Sequence, residues 1–320
     1  MPREIILAKK YRLGTKIGSG AFGDIYSGSV ISSGEPIAIK LEVSSPSPSP
    51  LFSLIPQAVD AKKPQLEWEF KIYRCLAGSV GIPNAYYFGC EGDYNVMVMD
   101  MCGKSLEDLF CRCGRRFGLK TTLMIADQLI CRMEIMHAKN HIHRDIKPDN
   151  FVIGRGKHSK LIYVIDLGLA KRFRDADTRK HIPFKEGLHL FGSARYMALD
   201  VHLGREQSRK TDMESLGYTI LYFVQGRLPW QGFKDEGHDK YEKIRQVKAG
   251  LTSDQLCKDL PVEFALYFDH VKSLGFEDRP DYDYLKRLFR DLFYHEGFEF
   301  DSVYDWDLVQ ELAVEGFTSN

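Results

Sequence analysis

The 320 residues carry 44 Lys+Arg against 44 Asp+Glu, with 44% hydrophobic and 12% aromatic side chains. That composition supplies a sizeable core and excludes a globally disordered chain, while the length excludes a short disulfide-stapled scaffold and allows one two-lobed domain or two small ones. Seven cysteines, at 75, 90, 102, 111, 113, 131 and 257, are scattered, odd in number and free of any CxxC pair, which argues against a zinc cage and for reduced thiols in the cytoplasm or nucleus. No apolar run approaches the ~18 residues that span a bilayer, and the start MPREIILAKK lacks a signal-peptide core, so neither a membrane span nor secretion is expected.

In chain order, Tyr11–Ser19, Gly23–Val30 and Glu35–Val43 are alternating or β-branched and separated by Gly/Ser turns, which predicts three strands of an antiparallel sheet. Residues 44–64, SSPSPSPLFSLIPQAVDAKKP, hold five of the 13 prolines and read as a loop. Leu66, Phe70, Tyr73 and Ala77 recur at helical spacing and predict a helix over Pro64–Ala77. Beyond residue 100 the pattern turns helical, most clearly over Leu123–His137 and Asp212–Gln225. Strands followed by helices predict an α+β chain of two lobes, 1–101 and 102–320. Charge is uneven: residues 139–210 hold 16 Lys/Arg against 8 Asp/Glu, and 291–320 hold none against 8. Sparse aromatic interleaving in the basic stretch favours an anionic substrate over nucleic acid, and a solvated face without a partner is the plainer alternative.

Gly18-Ser19-Gly20-Ala21-Phe22-Gly23, with Asp24 and Ile25, fits GxGxxGxV. Glycines let backbone N–H groups approach phosphates closely, although glycines in a hairpin are by themselves only a turn. Here they join two strands, as in a phosphate flap, whereas a dinucleotide fold needs a helix after them. Ile37-Ala38-Ile39-Lys40 then ends an apolar strand on a lysine suited to the α/β-phosphates. Of the two acids in the next helix, Glu67 has Lys63 and Lys71 at i±4 and reads as a surface residue. Glu69 has Leu66 at i−3 and Tyr73 at i+4, faces the core and is the expected partner of Lys40. The most specific signal is His143-Arg144-Asp145-Ile146-Lys147-Pro148-Asp149-Asn150, which fits HRDxxxxN throughout. Asp145 would take the proton of an attacking hydroxyl, Lys147 would neutralise a transferring phosphoryl group, and Asn150 would be a metal ligand. Asp166-Leu167-Gly168 follows an apolar run, and its carboxylate would bind Mg²⁺ bridging the β- and γ-phosphates of ATP.

These motifs resemble those of eukaryotic protein kinases, and the details are similar to the casein kinase I family of serine/threonine kinases. The resemblance runs through KIGSGAFGDIYSG (16–28), SLEDLF (105–110), HRDIKPDNF (143–151), GLAKRFRD (168–175), GSARYMALDVHLGREQSRKTDMESLGY (192–218), LPWQGFK (228–234) and PDYDYLKRLFR (280–290). It implies a bilobal fold, ATP and Mg²⁺ as cofactors, and phosphorylation of Ser/Thr beside acidic or phosphorylated residues. Ile17, Ile25, Ala38, Met99, Cys102, Val152 and Ile165 match positions lining the adenine pocket, with Met99 as gatekeeper and Cys102 in the hinge. Arg195 and Lys234 match one anion-binding site, Arg144 and Lys171 a second, and Asp212 the buried aspartate that braces the catalytic loop. The implied partners are protein substrates rather than nucleic acid, acted on by a monomer.

Departures from the family pattern carry their own expectations. Leu167 replaces the usual Phe, so packing beneath the metal-binding loop should change. Leu188 stands where a lysine is usual, which should weaken the second anion site. Asp200 replaces a typical Asn, and with Arg279-Pro280 it predicts an Asp200–Arg279 ion pair. The 44–64 segment is longer than the connection needs. It is either a tolerated insertion or, through Ser45, Ser47 and Ser49 before proline, a site for a proline-directed kinase. The end at Asn320 leaves no room for the long tail of some relatives. Two other function classes stand beside the enzyme: a pseudokinase that binds nucleotide or a partner without turnover, which the five retained polar residues oppose, and a nucleic-acid-binding protein, for which no motif speaks.

Overall fold

The computed structural model describes residues 4–20, 23–44, 65–233 and 237–309. The chain divides into two compact units, the first made of Met1–Gly103, Ile153–Ser159 and Tyr163–Leu169, the second of Lys104–Val152, Lys160–Ile162 and Ala170–Asn320. The sequence expectation for 44–64, apart from Ser44, lies outside the described residues, as do Ala21, Phe22 and Lys234.

In the first unit, β1 (Ile6–Leu7), β2 (Tyr11–Gly20), β3 (Gly23–Val30) and β4 (Pro36–Val43) precede α1 (Leu66–Leu76), β5 (Ala85–Glu91) and β6 (Tyr94–Asp100). The strands form one antiparallel sheet in the order β1-β2-β3-β4-β6-β5. The three expected strands are present, and β1, β5 and β6 complete the sheet. Strand alternation sorts the central strand β4: Ile37, Ile39 and Leu41 join Leu7, Tyr11, Tyr26, Tyr94, Val96 and Val98 in one apolar cluster, which leaves Ala38, Lys40 and Glu42 on the other face. Gly23 has φ +148°, and a Cβ there would lie 2.2 Å from the Leu41 carbonyl oxygen, so only glycine fits between β3 and β4.

The second unit is helical: α2 (Leu106–Arg112), α3 (Leu119–Ala138), α4 (Leu199–His202), α5 (Arg209–Gln225), α6 (Gly237–Gly250), α7 (Ser253–Leu256), α8 (Val262–Ser273) and α9 (Tyr282–His295). Short strands β7 (His141–Ile142), β8 (Phe151–Ile153), β9 (Ile162–Val164) and β10 (Lys171–Arg172) intervene after α3, and β7 pairs with β10. Every residue of α5 except Lys210 and Gln225 is buried, as expected of a helix enclosed on all sides. It packs against α3 and α8, and Gly217 permits the approach, since a Cβ there would stand 2.7 Å from Tyr267 and 2.9 Å from Phe268. Phe110, Phe117, Tyr222, Phe223 and Trp306 stack edge-on and tilted at centroid distances of 4.5–5.7 Å, and burial of each ring contributes about 1.5–3 kcal/mol.

One expected contact is absent: Asp200 does not pair with Arg279. Arg205 and Lys210, close in sequence, take its two carboxylate oxygens at 2.9 and 3.2 Å. Arg279 is 3.7 Å from Glu134 and covers the Tyr282 ring at 5.4 Å. Neighbours that need no long chain closure satisfied the carboxylate first.

Candidate active site

The first unit holds a buried ion trio. Lys40 projects from β4 with Nζ 2.7 Å from Glu69 Oε2 on α1 and 3.2 Å from Asp166 Oδ1. Burial works against the ammonium, but the charges of Glu69 and Asp166 outweigh it and push the lysine pKa upward. Glu67 instead forms an exposed pair with Lys71 at 2.7 Å. Two further contacts fix the Asp166 backbone to α1: its N–H donates to the Tyr73 hydroxyl at 3.1 Å, and the next N–H, of Leu167, donates to Glu69. Asp166 itself sits at φ +60°, a left-handed conformation costly for a residue other than glycine. Leu167 is fully buried, so the replacement of Phe keeps an apolar anchor beneath the loop.

α1 has no side-chain cap of its own at Gln65. Glu42, two residues beyond Lys40, supplies one from β4: its carboxylate accepts the N–H groups of Gln65 at 2.7 Å and Leu66 at 3.2 Å, and the Asn95 amide at 3.1 Å. A carboxylate on a helix N-terminus is also favoured by the helix dipole. Strand and helix are therefore joined twice, once at the cap and once at the lysine.

Around them, the β2–β3 register sets Gly18 opposite Ile25, Ser19 opposite Asp24 and Gly20 opposite Gly23. Asp24 accepts from Ser19 Oγ at 2.5 Å and pairs with Lys16 at 2.7 Å. Ala38 stands opposite Met99, both nearly buried, while Ile17 is exposed and Ile165 half-buried. Burial and Asp100 push the Cys102 thiol up to about 12, so it is not a nucleophile at neutral pH. Val152, buried, falls in the second unit.

The second unit holds the residues of the HRDxxxxN motif. Asp145 Oδ2 lies 2.5 Å from Lys147 Nζ and 3.3 Å from Asn150 Nδ2, and Oδ1 accepts from the Ser193 N–H at 3.1 Å and its Oγ at 3.2 Å. Asn150 Nδ2 also donates to the Asp145 carbonyl at 2.8 Å, which leaves the amide Oδ1 as an acceptor. Beneath the loop, fully buried Asp212 accepts the N–H groups of His143 at 2.7 Å and Arg144 at 2.9 Å, together with His137 Nε2 at 2.9 Å. Burial alone would raise its pKa, but the hydrogen bonds from His137 and the Arg144 N–H hold it below the usual carboxylate range. The Tyr282 hydroxyl, 2.7 Å from His137 Nδ1, then donates to that nitrogen when the imidazole is neutral. The brace lets Arg144 adopt φ +71°.

A cavity of about 390 Å³ lies beside this loop, lined among others by Lys147, Ser193, Arg195, Trp230, Lys240 and Ile244. The Arg195 guanidinium covers the Tyr196 and Tyr222 rings at 5.7 and 5.6 Å. Of the second expected anion site, Lys171 is paired with buried Glu206 at 2.9 Å and Arg144 stacks on Phe191 at 4.6 Å. An acid already neutralises part of that site, and Leu188 contributes only its N–H, bonded to the Gly204 carbonyl at 2.9 Å.

In the first unit Asp166 offers a carboxylate oxygen and in the second Asn150 a carboxamide oxygen, each a hard donor of the kind magnesium takes, and neither lies in a group of three or more acidic, His or Cys side chains among the described residues. The sequence singled out the charged groups but not their supports: Glu42, Tyr73, His137, Ser193 and Tyr282 carry no motif. The helical stripe through Tyr73 and the strand alternation Ala38, Lys40, Glu42 signalled two of them.

An ion trio holding a lysine, and a braced loop presenting a carboxylate beside a lysine and an asparagine, define a phosphotransferase. The protein kinase domain family matches residues 11–265, and the chain belongs to that family.

Proposed function

We propose that this protein kinase transfers the ATP γ-phosphoryl group to Ser or Thr of acidic or phosphate-primed proteins, as a member of the casein kinase I family. The observation that carries the reading is the retained catalytic set, above all Lys40 held by Glu69 and Asp166. The retained set supports the enzyme over the alternative, a pseudokinase that binds nucleotide or a partner without turnover. Lys40 binds the α/β-phosphates. Asp145 orients the substrate hydroxyl and takes its proton, and Lys147 offsets charge on the transferring group. Asn150 and Asp166 would hold Mg²⁺, which when bound neutralises the β- and γ-phosphates. Catalysis then rests on positioning and charge neutralisation, with no covalent enzyme intermediate. Arg195, with Lys234, binds the acidic or phosphorylated residue of the substrate, where a bidentate guanidinium suits phosphate. The reading includes a monomer in the cytoplasm or nucleus.

Transfer from labelled ATP to matched acidic, phosphoprimed and neutral peptides tests it. Activity should rank the neutral peptide last, disappear in Asp145→Asn, and fall more on the primed than on the unprimed peptide in Arg195→Ala. Equal loss on both peptides would refute the assignment of Arg195, and ATP binding without transfer would establish the pseudokinase.

A further inference from the structure

Lys248 is a buried lysine whose surroundings the kinase motifs do not explain. It lies on α6 with Nζ 2.5 Å from the Met197 carbonyl, 3.1 Å from the Ala194 carbonyl and 3.3 Å from His202 Nε2. The rings of Tyr218 and Trp230 stand 4.8 Å away on either account. Among the described residues no carboxylate lies within ion-pair distance of it. Glu214, the acid that acts on it through space, has Oε1 engaged by the Leu199 N–H at 2.9 Å and the Tyr218 hydroxyl at 2.7 Å. Burial lowers the Lys248 pKa to about 7, and burial together with the Lys248 charge lowers His202 to about 3, so the His202 imidazole is neutral.

Burying an ammonium without a paired counter-ion is costly, and here its three N–H donors, two aromatic faces and the more distant Glu214 carboxylate offset that cost. Their targets are consecutive parts of one loop. Lys248 takes the carbonyls of residues 194 and 197, and the Trp230 indole N–H takes the carbonyl of Arg195 at 2.7 Å. At its start the same loop offers the Ser193 N–H and hydroxyl to Asp145, and the Ser193 carbonyl accepts the N–H groups of Tyr196 at 2.9 Å and Met197 at 3.0 Å. From Ser193 to Met197 the backbone is held at almost every residue, while the Arg195 side chain lines the cavity.

We propose that Lys248 is a positioning residue for substrate binding, which clamps the carbonyls of Ala194 and Met197 and so fixes the loop that aims Arg195 into the cavity and steadies Asp145. The inference rests on the kinase reading of that cavity. Asp200, engaged by Arg205 and Lys210, has no tie to Arg279, and the loop is secured by a cation on its own backbone. The geometry needs a compact ammonium with radiating donors, so neither Met nor Arg substitutes for it.

The test compares wild type, Lys248→Met and Trp230→Phe in steady-state transfer to an acidic peptide and in amide hydrogen exchange over residues 193–198. In Lys248→Met the peptide kcat/KM should fall at least about tenfold with the ATP KM within about twofold, and exchange of the Tyr196 and Met197 amides should accelerate. Trp230→Phe should change both readouts in the same direction by less. Unchanged peptide kinetics in a folded Lys248→Met enzyme, or peptide and ATP KM rising in parallel, would overturn the proposal. If Lys248→Met does not fold, unchanged peptide kinetics and exchange in Trp230→Phe overturn it instead. A wild-type protein that phosphorylates no peptide refutes the functional reading, and the exchange data still judge the clamp.

Discussion

The two units stabilise buried charge by different means. In the sheet-bearing unit Lys40 is held by side chains on two other segments, Glu69 from α1 and Asp166 from the loop before Leu167. In the helical unit Asp212 and Lys248 are held largely by backbone, the first by the N–H groups of His143 and Arg144, the second by the carbonyls of Ala194 and Met197. Charge held by side chains depends on where each contributing element sits, so displacement of α1 would open the trio. Charge bonded to backbone fixes the backbone itself, which suits the loops that carry Asp145 and Arg195, the residues proposed to take the substrate proton and to bind the substrate anion.

The sharpest way to break this contrast is Asp212→Ala, which strands two buried N–H groups and His137. About 3–5 kcal/mol of stability should be lost in urea unfolding, and a loss under about 1 kcal/mol would contradict a backbone-held loop. Lys40→Met comes next. It leaves Glu69 buried without its cation and should cost about 3 kcal/mol, and Lys40→Met/Glu69→Leu should recover much of that. Additive losses in that cycle would show that the trio is not a coupled unit. Glu42→Ala removes the borrowed cap and should cost about 1–2 kcal/mol, with faster hydrogen exchange in Leu66–Leu76 and little change across the sheet. Uniform acceleration would deny the cap a local role.

A smaller effect comes from His202. Its pKa is depressed to about 3 against the 6.5 of an ordinary imidazole, so the unfolded chain binds a proton that the folded protein refuses between those values. Its contribution to stability is present above about pH 6.5 and is lost as pH falls toward 3. Between pH 6 and 5, wild type should lose about 1 kcal/mol more than His202→Gln, and parallel pH profiles would contradict the assignment.

Much of the site was legible because its chemistry demands rare residue types at fixed spacing. HRDxxxxN located Asp145, Lys147 and Asn150, and helical spacing separated Glu69 from Glu67. Strand alternation was legible over β2–β4 but missed β1, which is two residues long, and the pair β5 and β6. The Asp200–Arg279 pair was misread because charge complementarity carries no distance: Arg205 and Lys210 lay nearer to the aspartate. Lys248 was missed because a lysine in KYEKIRQVKAG reads as a surface helix residue. A signal was nonetheless present, since Lys248 continues the buried stripe at i+4 from Ile244. Glu42, Ser193 and Tyr282 act through backbone or imidazole groups far away in sequence, and no local pattern announces such partners.

The most direct test of the central claim is the single-turnover rate of phosphoryl transfer to an acidic serine peptide at saturating ATP and magnesium, in wild type and Asp145→Asn. Loss of about 10²–10⁴ in rate, with ATP affinity within a few fold of wild type, is the predicted result. A rate unchanged by the substitution would contradict the assignment of Asp145 and with it the proposed mechanism.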